Sequence, residues 1–375
     1  MSKPSSQANN ITMATGGEYS LATIGAKHVI DNALPMVVRA LDQILEESPD
    51  RASENNHLTW CFSDMGCADG GTSLDLWRNV LSHLRRRSDA DVQVVYADQS
   101  RNDFNALVSI LHGHSSFKSY LDEYDHVHAL ESGSSFYLPI LPANSLDVGF
   151  SATAMHWLSS LPCNISDHVH MVGARGSELE SFSHQAAQDW QTILTHRARE
   201  LRAGGRLVLI NFCIDDQGRY LGNTGGVNMF DNFNALWQSF VSDGVITDEE
   251  YQAMTLPQYY NTVEEFSEPF EDSNNAVYKK GLRLEEISTA VVACPFAEDF
   301  KQHGDAKRFA KEYIPTIRSW NESIYYGALS ANRSLEERQE IINAYYAAYQ
   351  SQVESNPSEH GMGYVHAYMS IRHEV

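Results

Sequence analysis

The stretch "SDMGCADGGTSLDLW", residues 63–77, places an acid, three glycines and a cysteine between an apolar run and a helical pattern. The apolar run, residues 58–62, is typical of a buried strand. Four apolar residues of the following pattern share one helical face: Leu74, Trp77, Leu81 and Leu84. A strand, a glycine-rich turn and a helix form a nucleotide-type cofactor pocket, because glycines let the backbone approach the ligand and free amides at the helix start favour a negative group.

The spacing of these residues narrows the choice of cofactor. Asp64 ends the predicted strand, and Gly66 and Gly70 are four residues apart, unlike the motifs that bind dinucleotides or ATP. The second predicted strand ends in "VVYADQ", which puts Asp98 at its carboxyl end, where an acid can accept bonds from ribose hydroxyls. From the residues alone, a structural turn at Gly66 and a helix N-cap at Asp98 remain alternatives.

The elements that must position these residues follow an alternating pattern of strands and helices. Apolar residues at helical spacing predict a long helix over residues 23–47 before the first strand. The later segments predicted as strands are 92–97, 148–151, 207–212, 281–294 and the final residues from 364. The stretch "LRAGG" is expected to end a helix on Gly204 and Gly205. This rhythm predicts an α/β fold with a parallel sheet.

The chain divides into four predicted segments. Residues 1–50 are expected to form an N-terminal segment and helix that close the active site, and residues 51–215 a cofactor-binding core. Residues 216–280 are expected to form a helical cap, and residues 281–375 the remaining strands with a second cap segment at 303–350. A helical insertion of this kind covers the carboxyl ends of the strands, where doubly wound sheets bind ligands.

Charge and composition exclude several classes of function. The chain has 27 basic and 49 acidic residues and a formal net charge of -22, which disfavours nucleic acids and anionic membranes as partners. It contains no run of 18 apolar residues, and its first residues lack the apolar core of a signal peptide, so a cytoplasmic location is expected.

Cysteines and histidines give little sign of a metal site. The five cysteines are scattered without a CxxC pair, which favours buried thiols over disulfides or a zinc site. The pairs His112/His114 and His168/His170 have no third ligand at a suitable spacing. We therefore expect no bound metal.

Longer motifs resemble a known family. "SFY" at 135–137 followed by "LPANSLDVGFSATAMHWLSSLP" at 141–162 is similar to a stretch of the plant SABATH carboxyl methyltransferases. "DMGCADGGTSL" resembles their "DLGCSSGPNTL", and "DQSRNDFN" resembles their "DLPGNDFN". The likeness keeps its order over roughly residues 13–375.

This resemblance implies the Rossmann-like sheet of class I methyltransferases with a helical cap, S-adenosylmethionine as cofactor and a homodimer. Carried over residue by residue, it assigns Asp64, Gly66 and Ser20 to the methionine part of the cofactor, Asp98 and Gln99 to the ribose, and Ser135 and Phe136 to the adenine. The family's next residue after Ser20 is a tyrosine, whereas this chain has Leu21 there and Tyr19 one place before.

The resemblance also implies the reaction. Trp157 is expected to hold the carboxylate of a small apolar or aromatic acid through its indole N–H, with His28 as a second contact and His156 beside them. The methyl group would then pass to the carboxylate and give a methyl ester. Two alternatives stay open: N-methylation of a small heterocycle, with His28 or His156 taking a proton, and a non-catalytic cofactor-binding protein.

Overall fold

A computed structural model describes Met13, residues 15–49 and residues 59–374. Seven strands are found in these residues: β1 (Trp60–Met65), β2 (Val92–Ala97), β3 (Val127–Ser132), β4 (Leu146–Ala152), β5 (Leu201–Phe212), β6 (Leu282–Val292) and β7 (Tyr364–His373). They form one sheet in the order β3-β2-β1-β4-β5-β7-β6. The first five strands are parallel, and β7 is antiparallel to both β5 and β6. The predicted α/β fold is confirmed, but the sheet is mixed and not parallel throughout.

The same residues form twelve helices: α1 (Glu18–Ala22), α2 (Ile24–Glu47), α3 (Leu74–Leu84), α4 (Phe104–Leu111), α5 (Ser177–Glu200), α6 (Met229–Ser242), α7 (Asp248–Ala253), α8 (Val263–Glu271), α9 (Ala276–Lys279), α10 (Pro295–His303), α11 (Ala306–Ala328) and α12 (Leu335–Ser355). None of the helices in the described segments is both long and apolar enough to cross a lipid bilayer.

Helices pack on both faces of the sheet because alternate strand residues point to opposite sides. Phe62 of β1 and Val94 of β2 belong to the core shared with α2 and α3. Their neighbours Cys61 and Val95 belong to the core shared with α5 and α8. The long helix predicted from apolar spacing is confirmed as α2, whose buried face includes Val29 and ten other residues.

Helices α6, α7, α11 and α12 form a cap whose packing is rich in aromatic rings and continues into the core shared with α2 and α3. They belong to the chain segments between β5 and β6 and between β6 and β7, whereas α8 and α9 of the first segment pack against α5 and β6. The Trp237 ring meets the rings of Tyr325 and Tyr345 edge-on, with centroids 5.0 and 5.5 Å apart. The hydroxyls of Tyr325 and Tyr345 are hydrogen-bonded at 2.8 Å. Aromatic packing of this kind buries large apolar areas and fixes the helices relative to one another.

Two local predictions differ from the structure. Helix α5 ends at Glu200, not at Gly204, because residues 201–212 already belong to β5. Gly204, with φ +76°, lies in an irregular part of β5, where the register against β4 shifts. Strand β3 is absent from the predicted elements, since its half-exposed sequence "VHALES" has no apolar run. Leu58, the predicted start of the first strand, lies outside the described residues.

Candidate active site

A cavity of about 440 Å³ lies at the carboxyl edge of the sheet, around the ends of β1, β2 and β4. The strand order reverses between β1 and β4, and such a reversal opens a crevice in which α/β sheets bind ligands. The cavity is lined by residues from four turns and from the N-terminal segment: Met13, Tyr19, Gly66, Ala68, Asp98, Gln99, Ser100, Arg101, Gly133, Ser135, Phe136, Tyr137, Leu138, Thr153, Ala154, Trp157, Leu158 and Ser159. Several of these are the predicted cofactor residues.

Gly66 shapes the turn after β1. Its φ is +78°, and a Cβ added there would lie only 2.3 Å from the Cβ of Ala154. Both the positive φ and the close approach require glycine. The turn therefore presents its backbone to the cavity.

Asp98 lies at the end of β2, half-buried at the cavity wall. One carboxylate oxygen accepts a hydrogen bond from the Ala68 amide at 2.8 Å, and the other accepts from the Gln99 amide at 2.7 Å. Burial raises the pKa of the Asp98 carboxyl, and these two bonds oppose the rise. Since each oxygen keeps a second lone pair, the carboxylate can also accept bonds from a ligand's hydroxyls.

Asp64 lies deeper than Asp98. Its carboxylate is buried and accepts a hydrogen bond from the Trp77 indole N–H at 3.2 Å. Burial raises the pKa of Asp64 to about 6. Together with Tyr19 and Gly66, it lines a small space of about 10 Å³ behind the large cavity. A carboxylate in this position attracts a cationic group of a ligand.

Ser135 and Phe136 form the opposite wall, in the turn that follows β3. The Phe136 ring is partly exposed to the cavity and packs against the Tyr137 ring, with centroids 4.8 Å apart and planes tilted by 56°. An open aromatic face is suited to packing against a flat ligand ring.

The N-terminal helix contributes Tyr19, for which the sequence predicts no role. Tyr19 lines the large cavity and the two smaller ones around it. Ser20 is instead buried against Asp69: its amide donates to one carboxylate oxygen at 3.0 Å, and its hydroxyl donates to the other. Leu21 has 58% of its side chain exposed. In this structure Tyr19, and not Ser20 or Leu21, faces the cavities.

Trp157 lies where the large cavity meets a second one of about 40 Å³. The second cavity, which we call the acceptor cavity, is lined by residues from α1, α2, the sheet and the cap: Met13, Tyr19, Thr23, Ala26, Thr153, His156, Trp157, Phe212, Leu221, Gln258, Thr316, Trp320, Met362 and Tyr364. His156 is buried there with its ring edge-on to Phe212 at 4.7 Å. Burial lowers the pKa of His156 to about 3, so its imidazole is neutral at physiological pH.

The predicted role of His28 at the acid is not supported, because His28 lines neither cavity. Ala26 of α2 lines the acceptor cavity, and a residue two positions later lies about 200° around the helix. The His28 side chain is accordingly exposed on the opposite face. The structure brings Trp157 and His156 together but leaves His28 away from them.

Sequence reasoning missed most of the acceptor-cavity lining, including Gln258, Thr316, Trp320 and Tyr364. They come from segments that are distant in the chain, so no local pattern points to them. Tyr364 packs so closely on α2 that a Cβ added to Gly25 would lie 2.2 Å from its ring. The Tyr364 ring therefore occupies the space that a side chain at position 25 would need.

The pair His168/His170 serves packing and polar contacts. His168 Nε2 lies 3.2 Å from an Asp231 carboxylate oxygen, and His170 stacks on Phe230 with centroids 3.8 Å apart. Within residues 13, 15–49 and 59–374, no group of three or more His, Cys, Asp or Glu side chains is arranged to hold a metal ion.

Comparison with known proteins extends these observations. A family model described as "SAM dependent carboxyl methyltransferase" matches residues 11–374. Indole-3-acetate O-methyltransferase 1 of Arabidopsis thaliana is 25% identical over 288 residues, which cover 67% of this chain and 73% of that protein. Loganic acid O-methyltransferase of Catharanthus roseus is 24% identical over 266 residues, which cover 66% of this chain and 67% of that protein. A solved structure of loganic acid methyltransferase with SAH aligns with a TM-score of 0.72 at 20% identity, covers 97% of this chain and 99% of its own, and so shares the fold.

Proposed function

The chain belongs to the family of S-adenosylmethionine-dependent carboxyl methyltransferases, and from this premise we propose which residues of the two cavities bind the cofactor and the acid. The protein is an O-methyltransferase with the class I fold that methylates carboxylates of small molecules with S-adenosylmethionine. One observation carries the proposal: Trp157 and Tyr19 line both cavities at their junction.

The large cavity fits the cofactor in size and chemistry. Its volume of about 440 Å³ lies in the range of ligand pockets. Asp98, with Gln99 beside it, would accept the ribose hydroxyls, and Phe136 with Ser135 would contact the adenine. Asp64 and the Gly66 turn would hold the methionine part, with Tyr19 in the place first assigned to Ser20. When bound, S-adenosylmethionine supplies an electrophilic methyl group on a sulfonium.

The acceptor cavity would hold the acid. The Trp157 indole can donate one hydrogen bond through its N–H and has no acceptor atom. Such a group is suited to a carboxylate oxygen in mostly apolar surroundings. Neutral His156 would contact the acid beside it. The lining by Phe212, Trp320 and Tyr364 favours a small apolar or aromatic acid.

The reaction needs no base from the chain. A carboxylic acid with a pKa of about 4 is already ionised at neutral pH. The side chains then have two tasks, to hold the carboxylate in a reactive orientation and to exclude water, and positioning alone can supply several kcal/mol. No proton transfer to His156 or His28 is required, in contrast to N-methylation of a heterocycle.

Labelled S-adenosylmethionine tests the reaction. The enzyme is incubated with aromatic, indolic and aliphatic acids and with purine-like heterocycles, and the product is treated with mild base. We expect label that base releases as methanol, which identifies a methyl ester. Base-stable label would contradict carboxylate methylation by this chain, and tight cofactor binding without any labelled product would favour a binding protein.

The variant Trp157→Phe tests the acceptor site. It keeps an aromatic ring but removes the N–H donor, so KM for the methylated acid should rise by about tenfold or more, equivalent to the loss of a hydrogen bond to a charged group. The dissociation constant of S-adenosylhomocysteine should change less than twofold. An unchanged KM for the acid would contradict the role of Trp157.

We also propose a division of the chain, an assembly and a location. Residues 1–50 close the site, residues 51–215 bind the cofactor, and the segments 216–280 and 303–350 cap the acceptor cavity; residues 1–12, 14 and 50–58 of this division lie outside the described residues. The enzyme acts as a homodimer in the cytoplasm without nucleic acid or membrane partners; its charge of -22 and its five unpaired thiols support this location and partner choice. Light scattering after size exclusion tests the dimer.

A further inference from the structure

Helix α5 runs behind the segments that wall the two cavities, and its buried face carries three charged side chains. Arg197 is 0% exposed, Glu200 is 1% exposed and Asp189 is 6% exposed. Burying a charge costs free energy unless polar partners surround it. The polar partners of these three residues therefore show which segments the helix holds in place.

Arg197 and Glu200 hold the turn that carries Phe136. The Arg197 guanidinium donates to the carbonyl oxygens of Phe136 at 3.2 Å and Leu138 at 2.9 Å. It also pairs with the Glu200 carboxylate, with Nε and Oε2 2.8 Å apart. Glu200 Oε1 in turn accepts from the Ile140 amide at 2.6 Å. The ion pair thus fixes main-chain groups on both sides of Leu138.

Asp189 holds the segment that follows Trp157. One of its carboxylate oxygens accepts from the Ser159 amide at 2.8 Å, and the other accepts from the Ser159 hydroxyl at 2.6 Å. The carboxylate also lies within hydrogen-bonding reach of the Tyr137 hydroxyl, which donates to the Trp157 carbonyl oxygen. Asp189 thus fixes the main chain at Ser159, two residues after Trp157.

The two sets of contacts lie two turns apart on one rigid helix and reach different walls. We propose that α5 positions the two binding sites through two sets of contacts: Arg197 and Glu200 position Phe136 for the cofactor, and Asp189 positions the segment of Trp157 for the acid. All three are positioning residues, because they act through the main chain of other residues. This inference rests on the proposed assignment of the two cavities.

Binding of S-adenosylhomocysteine, measured by calorimetry, tests the cofactor half without any acid substrate. Arg197→Met should raise its dissociation constant about tenfold or more, whereas Asp189→Asn should change it less than twofold. The double variant Arg197→Met/Glu200→Gln leaves no unpaired buried charge, so it should fold and still bind the cofactor product weakly. Exposed Arg199 on the same helix supplies the matched control Arg199→Met, which should bind normally.

Amide hydrogen exchange measures the positioning itself and needs no ligand. The double variant should exchange faster in peptides covering residues 136–141, with a smaller change in those covering 157–160, which the Tyr137 hydroxyl joins to that turn. Asp189→Asn should show the reverse pattern and a raised KM for the acid that the labelling assay identifies. A failure of wild-type binding or turnover would overturn the cavity assignment, while the exchange pattern would still report on the helix.

Two results would overturn the inference. One is that both variants weaken cofactor binding equally or accelerate exchange across the whole chain, since α5 would then only support the fold. The other is that neither variant changes exchange in its own segment.

Discussion

Asp64 combines a charge with complete burial, and this combination makes cofactor binding depend on pH. Burial raises its pKa to about 6, so the free enzyme carries a proton on Asp64 below that pH. A protonated carboxyl cannot attract the cationic amino group of the cofactor. The affinity for S-adenosylhomocysteine should therefore be constant above pH 7 and fall by roughly tenfold per pH unit below pH 6. Calorimetry between pH 5 and 8 measures this.

The variant Asp64→Asn is the control for this pH dependence. The amide oxygen can still accept from Trp77, but no charge remains to be titrated. Binding should be weak at every pH and should lose its dependence around pH 6. If the variant kept the wild-type pH profile, another group would have to be responsible.

The buried Asp64 carboxylate should also lower the free energy of unfolding of the free enzyme at neutral pH. The folded-state pKa lies above the ordinary value of 3.8, so the favourable contribution of the protonated form is lost as pH rises through about 6. At pH 7.5, Asp64→Asn should raise the free energy of unfolding by about 2–3 kcal/mol. Urea unfolding without ligand measures this gain, and a loss of stability would contradict it.

Among the larger elements, one buried ion pair fastens the two halves of the cap together. Glu250 of α7 is 3% exposed and pairs with Arg333, in the turn between α11 and α12, at 2.6 and 2.8 Å. The Ser330 amide donates to the same carboxylate at 2.8 Å. The Arg333 guanidinium lowers the pKa of Glu250 to about 2. Its contribution to stability is thus fully present above pH 4.5 and is lost as pH falls toward 2.

Arg333→Met should accordingly destabilise the protein by about 3 kcal/mol at pH 7, since it leaves Glu250 buried without its partner. Arg308, whose ion pairs with Asp299 and Glu312 are exposed, gives the matched control. Arg308→Met should cost less than about 0.5 kcal/mol. Equal effects of the two variants in urea unfolding would contradict the special role of Glu250.

Elements that bury one face were predictable because their signal is local. The spacing of Ile30, Val37 and Leu41 predicts α2 without knowledge of its partners. Helical spacing also explains why His28 is exposed, since a helix that buries Ala26 and Val29 turns position 28 outward. The edge strand β3 has no such signal, because half of its side chains face solvent.

No local sequence pattern predicts the acceptor cavity, because its lining residues are distant from one another in the chain. Trp157 could be found from its motif, but Thr316 reaches the cavity because α11 of the cap folds over the sheet, and Tyr364 reaches it because β7 pairs beside β5. Tyr19 instead of Ser20 faces the cavities because the Asp69 carboxylate accepts hydrogen bonds from the Ser20 amide and hydroxyl. Contacts between residues tens or hundreds of positions apart decide these details, and a single sequence does not record them.

For the molecule as a whole, the net charge of -22 implies substantial self-repulsion at low salt. Because added ions shorten the screening length from about 30 Å at 0.01 M to about 8 Å at 0.15 M, salt should stabilise the folded state. The Tm should rise by about 2–5 °C between 10 and 300 mM NaCl. Potassium chloride should act equally if screening is the cause, and an unchanged or lower Tm would contradict the prediction.

The packing of Tyr364 against Gly25 has a consequence for the evolution of substrate range. Because an added Cβ at position 25 meets the Tyr364 ring at 2.2 Å, position 25 cannot take a larger residue while Tyr364 keeps its ring. A larger residue at 25 becomes acceptable only after Tyr364 has been replaced by a smaller one, and the order of the two substitutions matters. Directed evolution that varies one wall residue at a time will therefore miss this pair, whereas a library that varies both together can reshape the acceptor cavity from the side of α2.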